Sequence, residues 1–100
     1  MYKKTEIFDI LINNKEAIFQ YGVLRLGLFG SYSRNEQRKA SDIDFIVEFD
    51  KDKKTFRNFM NLGFFLDTLF SIKVEIVTPE SLSKFMKNRI LKETEYVLPN

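Results

Sequence analysis

Apolar residues recur along this chain with two different periods, which together predict alternating helices and strands. From residue 5 to residue 21 an apolar side chain recurs at helical spacing, which is typical of a helix with one buried stripe. Thr5 is a suitable N-cap for that helix, and Gly22 is a natural residue at which it ends. The apolar runs at 23–29 and 42–49 predict two strands, with a short helix and a polar loop between them.

The second half of the chain continues the alternation. A long helix is predicted at about 55–71 and a third strand at 72–77. Thr78 as N-cap and Pro79 at the first helical position predict the start of a last helix. The apolar residues that this helix is expected to bury are Leu82, Phe85, Met86 and Ile90.

The predicted order αβαβαβα indicates an α/β (α+β) fold with a small mixed β-sheet flanked by helices. A chain of 100 residues is long enough for one hydrophobic core and too short for two, so we expect a single domain over 1–100. No apolar run approaches the ~20 residues of a membrane span, so no membrane association is expected. The absence of cysteine fits a reducing compartment, and we expect a cytoplasmic protein.

The long helix carries more apolar residues than one buried stripe requires. We therefore expect part of its surface to be exposed in the monomer and to bind a partner or a second copy of the chain. The alternative is that these side chains simply fill the core of a small domain. The residues concerned are Phe56, Phe59, Met60, Leu62, Phe64, Phe65, Leu66, Leu69 and Phe70.

Composition excludes several classes of site. The chain has no His, which rules out hydrolases that use a Ser-His-Asp arrangement, and no Cys, which rules out thiolate zinc sites. Its formal net charge of +2 gives no strong basic footprint, so a nucleic-acid partner is not indicated.

The stretch from 30 to 48 carries the candidate chemistry. Gly30 permits a sharp turn directly after the first strand, and Ser31 can cap the short helix that follows, whose free N–H groups would bind an anion. Asp42 and Asp44 lie two positions apart at the start of a strand, so both carboxylates share one face. A phosphate site followed by a pair of carboxylates predicts a nucleoside triphosphate bound with Mg²⁺.

Three further residues complete the predicted site. Glu75 points away from the apolar face of its strand, and it becomes a third carboxylate if that strand lies beside the Asp42–Asp44 strand. Arg34 is a candidate contact for phosphates, with a solvated helix residue as the alternative. Ser41 is expected to bond a nearby backbone N–H and to stabilise the turn into the strand.

The pattern G-S-x-x-R, six residues, then S-D-x-D resembles the signature of nucleotidyltransferases of the DNA polymerase β-like superfamily. At this length the chain is most similar to the minimal nucleotidyltransferase (MNT) group, commonly antitoxins paired with a helical HEPN toxin. Two positions depart from the family, since Ser33 stands where Ala is usual and Asn35 where Gly is usual. Asn tolerates the left-handed conformation, so we expect the turn at Asn35 to be kept.

The resemblance implies a catalytic and metal-binding set of Asp42, Asp44 and Glu75, the last where the family usually has Asp. It also implies a nucleotide-binding set of Gly30, Ser31, Arg34 and Ser41. Two Mg²⁺ ions are the implied cofactors, with ATP as the substrate. The implied reaction transfers AMP to a hydroxyl, a Tyr by preference, of a HEPN toxin partner.

Two alternatives remain open from the sequence. One is a catalytically weak or inactive antitoxin that neutralises its partner by binding. The other is a phosphatase with an aspartyl nucleophile. That class normally has Thr or Val soon after the second Asp and a larger domain, whereas here Phe45 and Ile46 follow in a short chain.

Overall fold

The computed structural model describes residues 1–100 and contains one four-stranded sheet flanked by helices. The helices are α1 (Lys4–Asn13), α2 (Lys15–Phe19), α3 (Phe56–Phe70) and α4 (Lys84–Glu93). The strands are β1 (Val23–Phe29), β2 (Ile43–Phe49), β3 (Val74–Val77) and β4 (Glu95–Leu98). The predicted α+β architecture is confirmed.

The sheet is mixed, as predicted, with strand order β3-β2-β1-β4. β1 runs antiparallel to both β2 and β4, and β2 runs parallel to β3. A parallel pair needs a long crossover connection, and α3 is part of the crossover between β2 and β3. β3 therefore lies directly beside β2, which is the condition for Glu75 to approach Asp44.

Alternation along β2 separates the residues that form the core from those that form the site. Its odd-numbered side chains enter the hydrophobic core, whereas Asp44 and Glu48 lie on the opposite face. The core is closed by α1, α2 and α3, and Phe45 of β2 packs against Phe70 of α3 with ring centroids 5.9 Å apart. The core residues from β2 and α3 are Ile43, Phe45, Val47, Phe49, Leu62, Leu66 and Phe70.

The first predicted helix is in fact two helices. The break falls at Asn14, where the backbone leaves the helical conformation (φ −114°, ψ 17°) and the side-chain amide donates to the Ile10 carbonyl at 2.8 Å. This side-chain bond competes with continuation of the helix, as Asn commonly does. Capping by Thr5 was also wrong, because α1 begins at Lys4 and the Glu6 carboxylate accepts from the Lys3 N–H at 2.8 Å.

The short helix predicted after Ser31 is not formed. Residues 31–35 make consecutive turns, in which the N–H groups of Ser33 and Arg34 both donate to the Gly30 carbonyl, at 3.0 and 3.1 Å. Ser31, which was predicted to cap this helix, is therefore not an N-cap.

The predicted start of the last helix was wrong by several residues. Thr78 and Pro79 lead into a single 3₁₀ turn, and α4 begins only after Ser83, whose hydroxyl accepts from the Met86 N–H at 3.2 Å. The helix then ends at Glu93, and the residues expected to fade from it form the edge strand β4. A four-residue strand that pairs only with β1 leaves too short an alternation to detect in sequence.

The predicted burial of the last helix was also largely wrong. Ile90 alone is buried, Leu82 and Met86 are partly exposed, and Phe85 is 75% exposed. The long helix behaves as expected, because three of its apolar side chains are buried and two of its aromatic side chains, Phe56 and Phe64, are exposed. None of the helices is long and apolar enough to cross a membrane.

Candidate active site

The turn at the end of β1 requires glycine for two reasons. Gly30 has a positive φ of 78°, a conformation that side chains disfavour. A Cβ at this position would also collide with the carboxylate of Asp44. The backbone of the turn and the carboxylate on the neighbouring strand are therefore packed directly against each other.

The two residues that depart from the family pattern both support this turn. Asn35 adopts the left-handed conformation with φ 56°, as its tolerance for that region predicts. Ser33 is buried, and its hydroxyl donates to the Glu93 carbonyl at 2.7 Å, which ties the turn to the end of α4. The hydroxyl thus adds an anchor that an Ala would lack.

The structure brings the three predicted carboxylates into one cleft of about 370 Å³. The parallel register places Asp44 directly opposite Glu75 on the neighbouring strand. Asp42 lies just before β2, two residues from Asp44, and faces the same cleft. The cleft thus concentrates negative charge where strands β2 and β3 begin.

Asp44 is strongly affected by its surroundings. Its pKa rises from 3.8 to about 6, first because burial disfavours the charged form, and then because the negative charges of Glu75 and Asp42 oppose ionisation. The positive charge of Arg34 acts in the opposite direction and is too weak to cancel these effects. A cation in the cleft would relieve this repulsion.

Lysine takes part in the charge balance of the carboxylates. The Lys73 ammonium lies 3.7 Å from Asp42 and 3.5 Å from Glu75. No group of three or more acidic side chains is arranged so that it could hold one metal ion. Magnesium, however, is usually held by one or two carboxylates together with substrate phosphates. Asp42 and Asp44 supply oxygen donors of that kind, so the residues present fit an ion that arrives with a nucleotide.

The other predicted site residues lie in the same cleft as the carboxylates. Gly30, Ser31, Arg34 and Ser41 all line the cleft, which brings the whole predicted nucleotide-binding set together. Ser41 accepts from the Arg38 N–H at 2.9 Å, which confirms its structural role in the turn before β2.

One side of the cleft was not predicted from the sequence. It comes from α4, which contributes Met86, Arg89, Ile90 and Glu93, while Phe29 at the end of β1 adds an apolar surface. Glu93 is bonded to two predicted site residues, because its Oε2 accepts from the Gly30 N–H at 2.6 Å and from Arg34 Nη1 at 2.8 Å. Met86 and Ile90 were predicted to be part of a buried stripe rather than of a cleft wall, and no role was predicted for Glu93.

Comparison with characterised proteins agrees with this geometry. The nucleotidyltransferase domain family matches residues 11–97. A protein of Methanocaldococcus jannaschii, provisionally named a protein adenylyltransferase, is 38% identical over 81 residues, which cover 81% of this chain and 86% of the relative. The protein adenylyltransferase MntA of Thermococcus cleftensis is 33% identical over 93 residues, covering 92% of this chain and 93% of the relative.

Solved structures share the fold. A provisionally named minimal nucleotidyltransferase superposes with a TM-score of 0.73 at 28% identity and covers 88% of this chain and 93% of its own. An MNT antitoxin complex with a tri-AMPylated HEPN toxin of Shewanella oneidensis gives a TM-score of 0.64 at 19% identity, covering 93% of this chain and 73% of its own. At that identity the second likeness speaks for the fold alone. With its motif, its cleft and these relatives in agreement, the chain belongs to the nucleotidyltransferase family and is a minimal nucleotidyltransferase.

Proposed function

We propose that this protein is an antitoxin that transfers AMP from ATP, with Mg²⁺, to a tyrosine hydroxyl of a HEPN-type toxin. The observation that carries the proposal is the shared cleft, in which the Gly30 turn meets the carboxylates of Asp42, Asp44 and Glu75. The named relatives are protein adenylyltransferases, which supports a protein as the acceptor. Family membership also removes the reason to consider an aspartyl phosphatase.

Each wall of the cleft has a part in the reaction. The turn at Gly30 and the guanidinium groups of Arg34 and Arg89 would bind the phosphates that leave as pyrophosphate. Asp42 and Asp44 would hold the magnesium ions, and Glu75 would assist on the side of the attacking hydroxyl. Bound Mg²⁺ neutralises phosphate charge and lowers the pKa of that hydroxyl.

The proposed reaction is a nucleotidyl transfer at the α-phosphorus of ATP. The acceptor oxygen forms a bond to the α-phosphorus of ATP while the bond from that phosphorus to the bridging oxygen breaks, and pyrophosphate leaves. The hydroxyl proton passes to solvent or to a carboxylate in the cleft. The apolar surface of Phe29, Met86 and Ile90 offers a place for the base.

Exposed aromatic residues support a macromolecular partner. Phe56 and Phe64 on α3 are 79% and 60% exposed, far more than their apolar rings favour in water. The acceptor must reach the cleft from another molecule, because this domain provides no tyrosine among the residues that line it. We expect a stable complex with a helical toxin, or self-association when the toxin is absent.

The test follows the position of the radioactive label. The chain is incubated with Mg²⁺ and the product of the neighbouring gene, in parallel with ATP labelled at the α- or the γ-phosphate. Label on the partner from the α-position alone indicates AMP transfer, whereas label from the γ-position alone indicates phosphorylation and contradicts the proposal. Replacement of the acceptor tyrosine by Phe should abolish the α-label.

A second candidate is an antitoxin that acts by binding alone. Glu75 favours it, because its longer side chain stands where the family usually has Asp, and it is partly paired with Lys73. Sedimentation of the mixture separates the candidates. A stable complex without α-label supports binding alone, and a strictly monomeric chain that binds no such product contradicts both.

A further inference from the structure

The end of α4 places a carboxylate inside the turn that follows β1. Oε2 of Glu93 accepts two hydrogen bonds at once, from the Gly30 N–H at 2.6 Å and from Arg34 Nη1 at 2.8 Å. These partners lie about 60 residues away in sequence, so the contact is tertiary and does not arise from helix geometry. A backbone N–H and a guanidinium that converge on one oxygen form a charge-assisted anion site.

This site is the same one that a nucleotide would need. Gly30 and Arg34 belong to the proposed phosphate-binding set, and both line the cleft that contains Asp44 and Glu75. A carboxylate in this position therefore satisfies donors that a phosphate oxygen would otherwise take. It also adds a further negative charge beside carboxylates that already oppose one another.

We propose that Glu93 is an internal anion of the phosphate subsite, and that a triphosphate binds by exchanging with its carboxylate. The inference rests on the proposed function only in its choice of ligand. Glu93 thereby acts as a positioning residue that holds Gly30 and Arg34 in their binding arrangement while the site is free, and it lowers the affinity for phosphate by direct competition.

The exchange needs movement of a side chain rather than of a helix. The main chain of Glu93 is held independently, because its carbonyl accepts from Ser33 Oγ at 2.7 Å. The side chain is 23% exposed, so solvent already reaches it and a route out of the turn exists. The carboxylate can therefore leave while the end of α4 stays in place.

The first experiment compares phosphate affinity in matched variants of the full chain. Inorganic tripolyphosphate and ATP are titrated calorimetrically, without and with Mg²⁺, into the wild type, Glu93→Gln and Glu93→Asp. Glu93→Gln should bind both ligands about tenfold more tightly, since no charge-assisted bond has to be broken first. Glu93→Asp, which keeps the charge but is one methylene shorter, should lie between Glu93→Gln and the wild type.

The control variant is Glu95→Gln. Glu95 is two residues further along, is exposed, pairs with Lys4 at 3.1 Å, and does not line the cleft. It removes the same charge from the chain and should leave both affinities unchanged. Equal gains in Glu93→Gln and Glu95→Gln would show a general charge effect and would overturn the exchange.

The second experiment observes the contact itself. The chain has four glycines, so the Gly30 amide can be assigned in a nitrogen-15 correlation spectrum. In the wild type this amide should be strongly deshielded by the carboxylate, and Glu93→Gln should shift it markedly before any ligand is added. Thermal unfolding of each variant verifies that it is folded.

The outcomes separate this inference from the proposed function. Unchanged or weaker tripolyphosphate binding in a folded Glu93→Gln protein would overturn the exchange, as would binding to neither protein. If the wild type transfers no AMP but Glu93→Gln still binds tripolyphosphate more tightly, the proposed function fails and the exchange stands.

Discussion

Helices α3 and α4 lie on opposite faces of one sheet and are held there by different forces. α3 buries Leu62, Leu66 and Phe70 in the core, so apolar burial holds it. α4 buries only Ile90, and its last residue is bonded to the Gly30 turn through Glu93. The face covered by α3 therefore buries more apolar side chains, whereas the face covered by α4 leaves room for a polar cleft.

The largest expected effect comes from substitutions in the cleft, on the face of the sheet that α4 covers. Asp42→Asn or Asp44→Asn should reduce AMP transfer about a thousandfold or more, because the metal ions contribute several kcal/mol to transition-state stabilisation. The fold should remain, since neither carboxylate lies in the core. Transfer and thermal unfolding are measured on the same preparations.

The control for that experiment is Asp9→Asn, because Asp9 is an exposed residue of α1 that does not line the cleft. It should transfer AMP at the wild-type rate. Undiminished transfer in both Asp42→Asn and Asp44→Asn would contradict the assignment of these residues.

The second prediction concerns the hydrophobic core, on the face of the sheet that α3 covers. Leu66 is fully buried, and Leu66→Ala should lower the free energy of unfolding by about 2–5 kcal/mol through lost burial and the cavity left behind. Transfer per folded molecule should stay close to that of the wild type. Urea denaturation gives the first quantity, and transfer corrected for the folded fraction gives the second. A large loss of corrected activity would show that the two faces are not separable.

The third prediction concerns Glu75, at the edge of the cleft. Glu75→Gln should slow transfer about 10–100-fold, as expected for a group that supports a metal ligand. Glu75→Asp should keep or improve the rate, because it restores the shorter carboxylate that the family usually has. The two rates, measured side by side, decide the matter: a wild-type rate in Glu75→Gln would make the residue a bystander.

The smallest expected effect is on stability and follows from the pKa of Asp44. A carboxyl whose pKa is raised in the folded state, here to about 6, contributes stability below its ordinary value of 3.8 and loses it as the pH rises through 6. In the presence of EDTA, Asp44→Asn should therefore gain stability relative to the wild type between pH 4 and pH 7. The gain should be about 1 kcal/mol, because solvent screens this half-buried group.

Urea titrations of both proteins at several pH values measure that difference. Asp9→Asn, which replaces an exposed carboxylate outside the cleft, is measured in the same way as the control. A flat difference for Asp44→Asn would mean that burial and the neighbouring carboxylates do not raise the pKa of Asp44 in the folded protein.

Local chemistry explains which parts of the molecule were predictable from sequence. Gly30, Asn35 and Ser41 act through their own backbone conformation or a residue three positions away, so their roles could be inferred. The period of two at the start of β2 likewise predicted that Asp42 and Asp44 share one face, and both line the cleft. Contacts between distant elements were not available in this way.

The failures share that cause. Glu93 is an ordinary last-turn residue until the fold brings it to Gly30, and β4 is a strand only because β1 lies beside it. The break at Asn14 depends on one side-chain bond that competes with a helix of otherwise suitable pattern. The structure at these positions depends on contacts between distant elements and on competition between local conformations, which composition does not reveal.

The close packing at Gly30 limits the substitutions that an active site of this kind can tolerate. Any side chain at position 30 would collide with the Asp44 carboxylate. The turn at Gly30 and the strand that carries Asp44 can therefore pack together only with glycine at this position. A substitution at this one position would disturb both halves of the site at once while leaving every charged group in the chain. In related sequences, a residue other than glycine at this position would thus be a sign of lost activity even where all the acidic residues remain.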